Sequence, residues 1–230
     1  MTRRGERPSA RARRAAVALQ ARLLDGVLGQ QASSTELHDE RLDAVLDVLR
    51  GAGVRSVLDL GCGSGALLAR LVEDERFARI VGVDASAEAL ATAERRLGAA
   101  GAEGRWELRH GSFLDPAPEL AGLGAAVLVE ALEHVAPGEL SRVERAVFGV
   151  LRPALVVLTT PNRDYNVRYG LAEGELRHPD HRFEWTRGRF RDWARSVGGR
   201  NGYAPEVSDV GRGDPLLGAP TQMGVFRRLG

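Results

Sequence analysis

The sequence predicts a doubly wound α/β fold built on a mostly parallel, seven-stranded sheet. Three observations predict it. Short apolar runs alternate with amphipathic stretches along most of the chain, as expected when each strand is followed by a helix that packs on the sheet. A glycine-rich turn joins the first predicted strand to the next helix. The length of 230 residues suits one generous domain, and no internal repeat or second domain is apparent.

The elements follow in order from the N-terminus. Residues 15–28 predict a helix with leucines on one side, and residues 35–49 predict a second helix that Gly51 and Gly53 end. Five strands are predicted at residues 55–60, 79–84, 105–110, 125–129 and 154–160, with helices between them at 66–75, 86–98 and 138–151. We therefore expect a parallel sheet that is covered by helices on both faces.

The C-terminal third begins with a long irregular stretch over residues 161–185. Irregular stretches of this length inside a compact domain are usually functional or disordered. A helix is predicted at residues 186–197, and the hydroxyl of Thr186 is a plausible N-terminal cap for it. Two last strands, at residues 203–210 and 221–228, are expected to pair antiparallel at the sheet edge.

Composition limits the function classes. The formal net charge is only +1, so no global field argues for nucleic acid, although residues 1–14 hold six arginines against one acid. We divide the chain into a basic arm and helix at residues 1–34 and one domain at residues 35–230. The single cysteine, Cys62, excludes an intrachain disulfide and favours a reducing, cytoplasmic location. No apolar run approaches the length of a membrane span.

The glycine-rich turn follows the first strand and an acid. Asp59 precedes Gly61, Gly63 and Gly65, whose freedom to adopt positive φ would let the backbone press against a nucleotide. Asp84 ends the second strand, where it could hold the hydroxyls of a ribose. A dinucleotide-binding turn more typically reads G-x-G-x-x-G, although an acid like Asp84 also occurs in NAD enzymes. The turn looks like the first motif of S-adenosylmethionine-dependent methyltransferases.

A second polar segment follows the fourth strand. If a helix begins there, Glu130, Glu133 and His134 lie on one face, at i, i+3 and i+4. Two carboxylates and an imidazole that converge in this way suit a divalent metal, which a distant histidine could complete. The plainer alternative is a solvated helix start, where acids are favoured by the helix dipole. Because the carboxyl ends of parallel strands meet at one rim, this segment should lie beside the glycine turn.

The irregular stretch mixes aromatic and basic side chains. Such mixtures can stack on bases and grip phosphate in single-stranded nucleic-acid sites, and they also occur in ordinary loops. The residues in question are Arg163, Tyr165, Asn166, Arg168, Arg177, His178 and His181.

Taken in order, the strings VLDLGCGSG, VGVD, HGSF, EALEHV, TTPNRDYN, HPDHRFEWTR and PTQMGVF resemble the HEN-type RNA methyltransferases. The resemblance runs over residues 36–228. It implies the class I S-adenosylmethionine-dependent methyltransferase fold and methyl transfer to the 2′-oxygen of the 3′-terminal nucleotide of RNA. It also implies a substrate with a free 3′ end, so that DNA, which lacks the 2′-oxygen, is not a substrate.

The resemblance also assigns residues. Four residues are implied both as the metal ligands and as the catalytic group: Glu130, Glu133, His134 and His181. The S-adenosylmethionine contacts are implied at Gly61, Gly63, Asp84 and Ser112, with Asp59 supporting the loop. Mixed oxygen and nitrogen ligands suit Mg²⁺, Mn²⁺ or Co²⁺, and two histidines favour the latter two. His178 lies near His181 but does not match the string.

Longer bacterial relatives carry an N-terminal half that works with an RNA end-healing and ligating partner. Here a short basic arm precedes the methyltransferase part, so the resemblance leaves open a repair complex or independent action on small RNAs. Three rival interpretations remain. They are a metal-independent class I methyltransferase acting on a small molecule or protein, a non-catalytic RNA-binding module, and a zinc hydrolase, which is disfavoured because the string is ExxEH and not HExxH.

Overall fold

The computed structural model describes residues 35–100, 104–115 and 118–230. The arm and the predicted helix at 15–28 lie outside these ranges. Glu40–Gly230 form one compact unit, and residues 35–39, which are helical, fall in a separate unit. The division into an arm at 1–34 and a domain at 35–230 stays a prediction. Within the described ranges, no helix is both long and apolar enough to pass through a membrane.

The sheet has seven strands in the order β3-β2-β1-β4-β5-β7-β6. The strands are β1 (Ser56–Leu60), β2 (Arg79–Asp84), β3 (Trp106–His110), β4 (Ala125–Val129), β5 (Leu155–Pro161), β6 (Tyr203–Val210) and β7 (Thr221–Arg228). The first five run parallel, while β7 pairs antiparallel with both β5 and β6. The strand order reverses between β1 and β4, so the fold is doubly wound, as predicted.

Within the described ranges, five α-helices accompany the sheet. They are α1 (residues 35–51), α2 (Ala66–Glu73), α3 (Ala87–Ala100), α4 (Leu140–Glu144) and α5 (Arg187–Asn201). The predicted helix at 138–151 is divided, because α4 passes into a π-helix at Arg145–Leu151. There the backbone N–H of Arg152 donates to the carbonyl of Val147, five residues back, which is the wider π spacing.

The core lies on both faces of the sheet. Leu58 and Leu60 of β1 belong to one buried cluster, which also holds Phe148, Phe190 and Tyr203. Alternate strand residues, such as Val57, Ile80 and Val127, belong to a second cluster, which packs against residues of α1 and α2. Side chains of a strand point alternately to opposite faces, so this division confirms a sheet that is covered on both sides.

The irregular stretch is better ordered than the sequence indicates. A short 3₁₀ helix occupies Arg163–Tyr169, and the side chain of Asn162 accepts a hydrogen bond from the N–H of Asp164 at its start. A single bridge between Asn162 and Trp185 joins the two ends of the stretch. The segment therefore leaves the sheet beyond β5, crosses the rim and returns beside its starting point.

Candidate active site

The glycine turn between β1 and α2 is tied to the end of β2. The N–H groups of Gly61 and Cys62 both donate to the carbonyl of Val83, at 2.8 and 3.1 Å. Gly61, Gly63 and Gly65 have φ of +80°, +52° and +74°, which side chains rarely adopt. A Cβ on Gly63 would meet no described atom within 4 Å, so the turn leaves open space at this point.

Asp84 lies against this turn. Its Oδ2 accepts from the N–H of Gly63 at 2.8 Å, and its Oδ1 accepts from the N–H of Ser86 at 2.8 Å. Each carboxylate oxygen can accept a further hydrogen bond, so the ribose hydroxyls of a nucleoside can still be bound. Ser112 follows β3 and its hydroxyl accepts from the N–H of Leu114 at 3.1 Å. The residues predicted to contact S-adenosylmethionine therefore lie at the ends of neighbouring strands.

Asp59 lies beneath the glycine turn and is only 2% exposed. Burial raises the pKa of this carboxyl from 3.8 to about 7, and the negative charge of Asp84 adds to the effect. The acid that the sequence places before the turn is thus a core residue, which fits the predicted role of supporting the loop.

The acid–histidine segment does not form the predicted helix. Glu130 has a left-handed backbone, with φ of +49°, and its N–H donates to the carbonyl and hydroxyl oxygens of Thr159. A 3₁₀ helix then spans only Leu132–His134. Hydrogen bonding to β5 holds the chain at the end of β4, and the sharp turn that follows directs Glu133 inward. The prediction that these side chains share one face therefore rested on an α-helix that does not form.

Glu133, His134 and His181 nevertheless come together across nearly fifty residues. Each offers a ligand atom, and these atoms lie within 4.8 Å of one another. The ring centroids of His134 and His181 are 5.0 Å apart. Burial lowers the pKa of His134, and the positive charge that His181 can carry lowers it further. Neutral imidazoles are the form that binds metal, so the electrostatics favour ligation.

Glu133 is fully buried and only half satisfied. Its Oε2 accepts from the hydroxyl of Thr160 at 3.1 Å, while its Oε1 has no hydrogen-bond partner among the described residues. Burial raises the pKa of Glu133 well above its usual value, and the nearby charge of Glu130 adds to the shift. A buried carboxylate oxygen without a partner is rare and costly. A divalent cation would satisfy it, so these donors fit a metal.

Glu130 lies outside this group of three. Its Oε2 pairs with the guanidinium of Arg41 at 3.2 Å, and its Oε1 is buried without a described partner. Arg41 also donates to the hydroxyl of Thr221 at 2.8 Å. The assignment of Glu130 as a metal ligand stays a prediction, and Oε1 is the oxygen of this carboxylate that is left to bind a cation.

Comparison with known proteins agrees with this geometry. A family model described as methyltransferase domain matches residues 57–154. The solved methyltransferase domain of bacterial CtHen1-C superposes with a TM-score of 0.76 at 38% identity, covering 84% of this chain and all of that one. The chain belongs to the HEN-type methyltransferase domains. Its fold is that of the class I S-adenosylmethionine-dependent methyltransferases.

Relatives of this HEN-type domain extend to eukaryotes. A rat (Rattus norvegicus) protein named small RNA 2′-O-methyltransferase is 34% identical in an alignment of 205 positions, which covers 84% of this chain and 52% of the rat protein. The structure titled small RNA methyltransferase HEN1 has a TM-score of 0.78 at 31% identity, covering 84% of this chain and 26% of that one. The chain spans about half the length of the curated animal relatives that it matches first.

The structure distinguishes the two candidate histidines of the HEN-type domain. The side chain of His181 is 10% exposed and its Nδ1 lies 2.6 Å from Oε1 of Glu184. The side chain of His178 is 55% exposed, and its Nδ1 accepts from the N–H of Asp180 at 3.2 Å. The N–H of Arg182 donates to the carbonyl of Glu133 at 2.8 Å, which docks the segment on the 3₁₀ helix. His181, and not His178, therefore lies with Glu133 and His134 in the group of converging donor atoms, and its role as a metal ligand stays a prediction.

Several basic side chains of the irregular stretch have internal partners. Arg177 donates to the carbonyls of Asn162 and Pro220 and to the side chain of Asn166, and it lies over the ring of Tyr169. Arg168 pairs with Asp214. The sequence left open whether this mixture serves a nucleic-acid site or an ordinary loop, and in the structure Arg177 and Asn166 hold the segment together.

Sequence reasoning missed the partners of the ligand group. Glu184 lies in the string HPDHRFEWTR, so the signal was present, but nothing in the string shows that this acid faces inward. Arg41 lies in the predicted helix at 35–49 and Thr160 at the end of the predicted strand at 154–160, but only the folded chain brings their side chains to the site.

Proposed function

We propose that this domain transfers a methyl group from S-adenosylmethionine to the 2′-hydroxyl of the 3′-terminal nucleotide of RNA, with the help of a divalent cation. One observation carries the proposal. Glu133, His134 and His181 converge within 4.8 Å on the same strand-end rim as the glycine turn and Asp84. A site for a cofactor and a site for a metal therefore share one rim, which suits transfer to an oxygen that needs activation.

The cofactor side is supported by the backbone. The open space at Gly63 admits a close ligand, and the carboxylate of Asp84 can accept the two hydroxyls of the adenosine ribose. S-adenosylmethionine supplies the methyl group on a sulfonium. The contribution of the protein is to hold that methyl group in line with the acceptor oxygen, and such positioning provides much of the rate enhancement in bimolecular transfers.

The metal side would be held by Glu133, His134 and His181, with Glu130 as the predicted fourth ligand. A bound divalent cation supplies Lewis acidity, which makes a ribose hydroxyl easier to deprotonate near neutral pH. Two imidazoles and carboxylate oxygens favour Mn²⁺ or Co²⁺ over Mg²⁺. Because His134 and His181 would be occupied as ligands, neither would be well placed to act as a general base.

The proposed substrate class follows from the relatives. The animal and plant proteins that the chain matches are named small RNA 2′-O-methyltransferase. A metal that held both the 2′- and the 3′-hydroxyl would also read whether the 3′ end is free. We therefore propose an RNA substrate with an unblocked 3′ terminus, and we propose that DNA is inert because it lacks the acceptor oxygen.

The decisive experiment measures transfer of a tritiated methyl group from S-adenosylmethionine to one synthetic RNA in matched forms. The forms carry a free 3′ end, a 3′-phosphate or a 2′,3′-cyclic phosphate, and a DNA of the same sequence is added as a control. Each reaction is run with Mn²⁺ and with EDTA. Only the free-ended RNA should be labelled, only with metal present, and the labelled product should resist periodate because its terminal diol is blocked.

Four outcomes would contradict parts of the proposal. Equal labelling of hydroxyl- and phosphate-ended RNA would indicate an internal 2′-O-methyltransferase. Transfer that persists in EDTA would favour a metal-independent methyltransferase. Labelling of a protein or small molecule instead of RNA would show that RNA is not its substrate. Cofactor binding without any turnover would indicate a non-catalytic RNA-binding module.

Two further points belong to the proposal. An RNA end-healing and ligating partner would suit an enzyme that reads free 3′ ends, and pull-down of such a partner from the source organism tests it. A cytoplasmic location is supported by the only cysteine, Cys62, which is buried with a free thiol.

A further inference from the structure

A buried carboxylate lies directly behind the ligand group. The side chain of Glu184 is fully buried and accepts three hydrogen bonds. Its Oε1 accepts from the backbone N–H of Arg177 at 2.7 Å and lies 2.6 Å from Nδ1 of His181. Its Oε2 accepts from the side-chain amide of Asn166 at 2.6 Å. Burying a carboxylate in this way is tolerated only because every contact is a strong hydrogen bond.

These contacts determine how His181 is presented. A carboxylate can only accept hydrogen bonds, so Nδ1 of His181 must carry the proton that it shares with Glu184. In a neutral imidazole the other nitrogen, Nε2, then holds a lone pair. His181 offers one ligand atom to the group with Glu133 and His134, and since Nδ1 is engaged by Glu184, Nε2 is the nitrogen that remains for it. Both the tautomer and the ring orientation of His181 are therefore fixed before any ligand arrives.

We propose that Glu184 is a positioning residue for the metal site, which holds His181 with Nδ1 protonated and Nε2 facing Glu133 and His134. Carboxylates behind a ligating histidine commonly orient the ring and raise its basicity. The inference deepens the proposed function and rests on His181 being a metal ligand. It adds a residue whose described hydrogen bonds are with Asn166, Arg177 and His181.

A purely structural role for Glu184 is the main competing explanation. Glu184 also fixes Asn166 and the backbone of Arg177, and Asn166 in turn accepts from the guanidinium of Arg177 at 2.6 Å. Loss of Glu184 could then weaken metal binding only by loosening the segment. Asn166 belongs to the same buried group of contacts and makes no contact with His181 among those described, so it offers a matched control.

The experiment compares Glu184→Ala, Asn166→Ala and the double variant Glu184→Gln with Asn166→Asp. In the double variant, the new amide oxygen can still accept from Arg177 and His181, and the new amide nitrogen can donate to the new carboxylate. That variant keeps the hydrogen bonds around His181. Long-range proton–nitrogen NMR spectra of the metal-free proteins report which nitrogen of His181 is protonated. Mn²⁺ titration, S-adenosylmethionine affinity and melting temperature are measured on the same samples.

We expect wild-type His181 to be protonated at Nδ1, and Glu184→Ala to give a mixture of tautomers. Mn²⁺ affinity should fall about 10- to 100-fold in Glu184→Ala. It should recover in the double variant and change less than about threefold in Asn166→Ala, while cofactor affinity stays unchanged in all. In a His181→Ala background, removal of Glu184 should cost no further Mn²⁺ affinity, because the two residues act as a unit.

Two results would overturn the inference. One is an unchanged tautomer and Mn²⁺ affinity in Glu184→Ala. The other is an equal loss of Mn²⁺ affinity in Asn166→Ala and Glu184→Ala at equal loss of melting temperature, which would reduce Glu184 to a structural residue. If His181 of the wild type is protonated at Nδ1 but the protein binds no Mn²⁺, the proposed metal site is refuted. The positioning of His181 by Glu184 would still be supported.

Discussion

The cofactor region and the acid–histidine cluster share one rim but are built in opposite ways. The cofactor region is the glycine turn with Asp84, and it comes from one β-α-β stretch of about thirty residues. Its polar groups are hydrogen-bonded to each other without a ligand, through the N–H groups of Gly63 and Ser86. The acid–histidine cluster is Glu133, His134 and His181, and it depends on docking a distant segment.

The cluster also differs in what it leaves unsatisfied. Oε1 of Glu133 and Oε1 of the neighbouring Glu130 are buried and have no partner within the described ranges. A complete hydrogen-bond network and an incomplete one on the same rim indicate two sites of different kinds. The first is formed before its ligand binds, whereas the second would gain stability from the proposed cation. The two regions should therefore respond independently to mutation.

The largest expected effect concerns the buried acid beneath the cofactor region. Burial raises the pKa of Asp59 to about 7 from 3.8, so the unfolded chain loses this proton at lower pH than the folded protein does. The free energy of unfolding should therefore fall as pH rises from 3.8 to 7, by at most roughly 4 kcal/mol. Asp59→Asn should remove this dependence of the unfolding free energy on pH. Urea unfolding at about pH 4, 6 and 8 measures it, because these values span the range between the two pKa values.

The matched control for Asp59→Asn is Asp47→Asn, which changes an exposed acid. The two variants should match the wild type near pH 4, and only Asp59→Asn should be more stable than the wild type near pH 8. Parallel pH curves for wild type and Asp59→Asn would mean that this carboxyl is ionised in the folded protein, and its role beneath the turn would need another explanation.

The second effect breaks the cluster and leaves the cofactor region intact. His181→Ala removes one of the three converging donor side chains, so Mn²⁺ affinity and turnover should each fall about 100-fold or more, which is ~2.7 kcal/mol. S-adenosylmethionine affinity should stay the same, because the glycine turn makes its own hydrogen bonds. Calorimetry with each ligand separates the two effects.

His178→Ala is the control for His181→Ala. The His178 side chain is half exposed and its Nδ1 bonds to the backbone of Asp180, so the expected loss is small. Suppose that the His178 variant lost Mn²⁺ affinity while the His181 variant kept it. The docking of the segment would then differ from the structure, and His178 would be the ligand.

The contrast between the regions also explains what the sequence could predict. Local pattern predicts all seven strands, the parallel direction of the first five, and the glycine turn and Asp84. It can do so because apolar periodicity and a glycine turn are features of short segments. Helices α2, α3 and α5 were predicted for the same reason. That His181 belongs to the acid–histidine cluster was implied by the family resemblance and not by periodicity. Local pattern cannot show it, because the chain comes back to the cluster only after about fifty residues.

The local geometry of the cluster could not be predicted. Glu130 adopts a left-handed backbone because its N–H is held by Thr159, a tertiary contact that no spacing reveals. The pairing of Glu130 with Arg41 and of His181 with Glu184 likewise depends on elements that are distant or turned inward. Sequence identifies the chemistry of such residues, whereas packing decides which of them meet.

The third effect breaks the cofactor region and leaves the cluster intact. Asp84→Ala removes the acceptor for the N–H of Gly63 and for the ribose hydroxyls, so S-adenosylmethionine affinity should fall by about 1–3 kcal/mol. Mn²⁺ affinity should not change. Asp84→Asn keeps one acceptor oxygen and should lose less. An unchanged cofactor affinity in Asp84→Ala would remove the strongest support for a nucleoside at this turn. Tight binding of NAD by the wild type would show that the turn binds a dinucleotide instead of S-adenosylmethionine.

The smallest effect tests how firmly the distant segment is docked. The hydroxyl of Thr186 accepts from the N–H of Arg189 at 3.2 Å and caps α5, which begins just after the segment that carries His181. Thr186→Ala should cost about 1 kcal/mol of unfolding free energy, or roughly 2–4 °C in melting temperature, and Thr186→Ser should restore it. Mn²⁺ affinity should be unchanged, because the segment is held by the Asn162–Trp185 bridge and by the bond from Arg182 to Glu133. If Mn²⁺ affinity fell together with the melting temperature, placement of His181 would depend on the start of α5, and the cluster would be less independently built than its hydrogen bonds indicate.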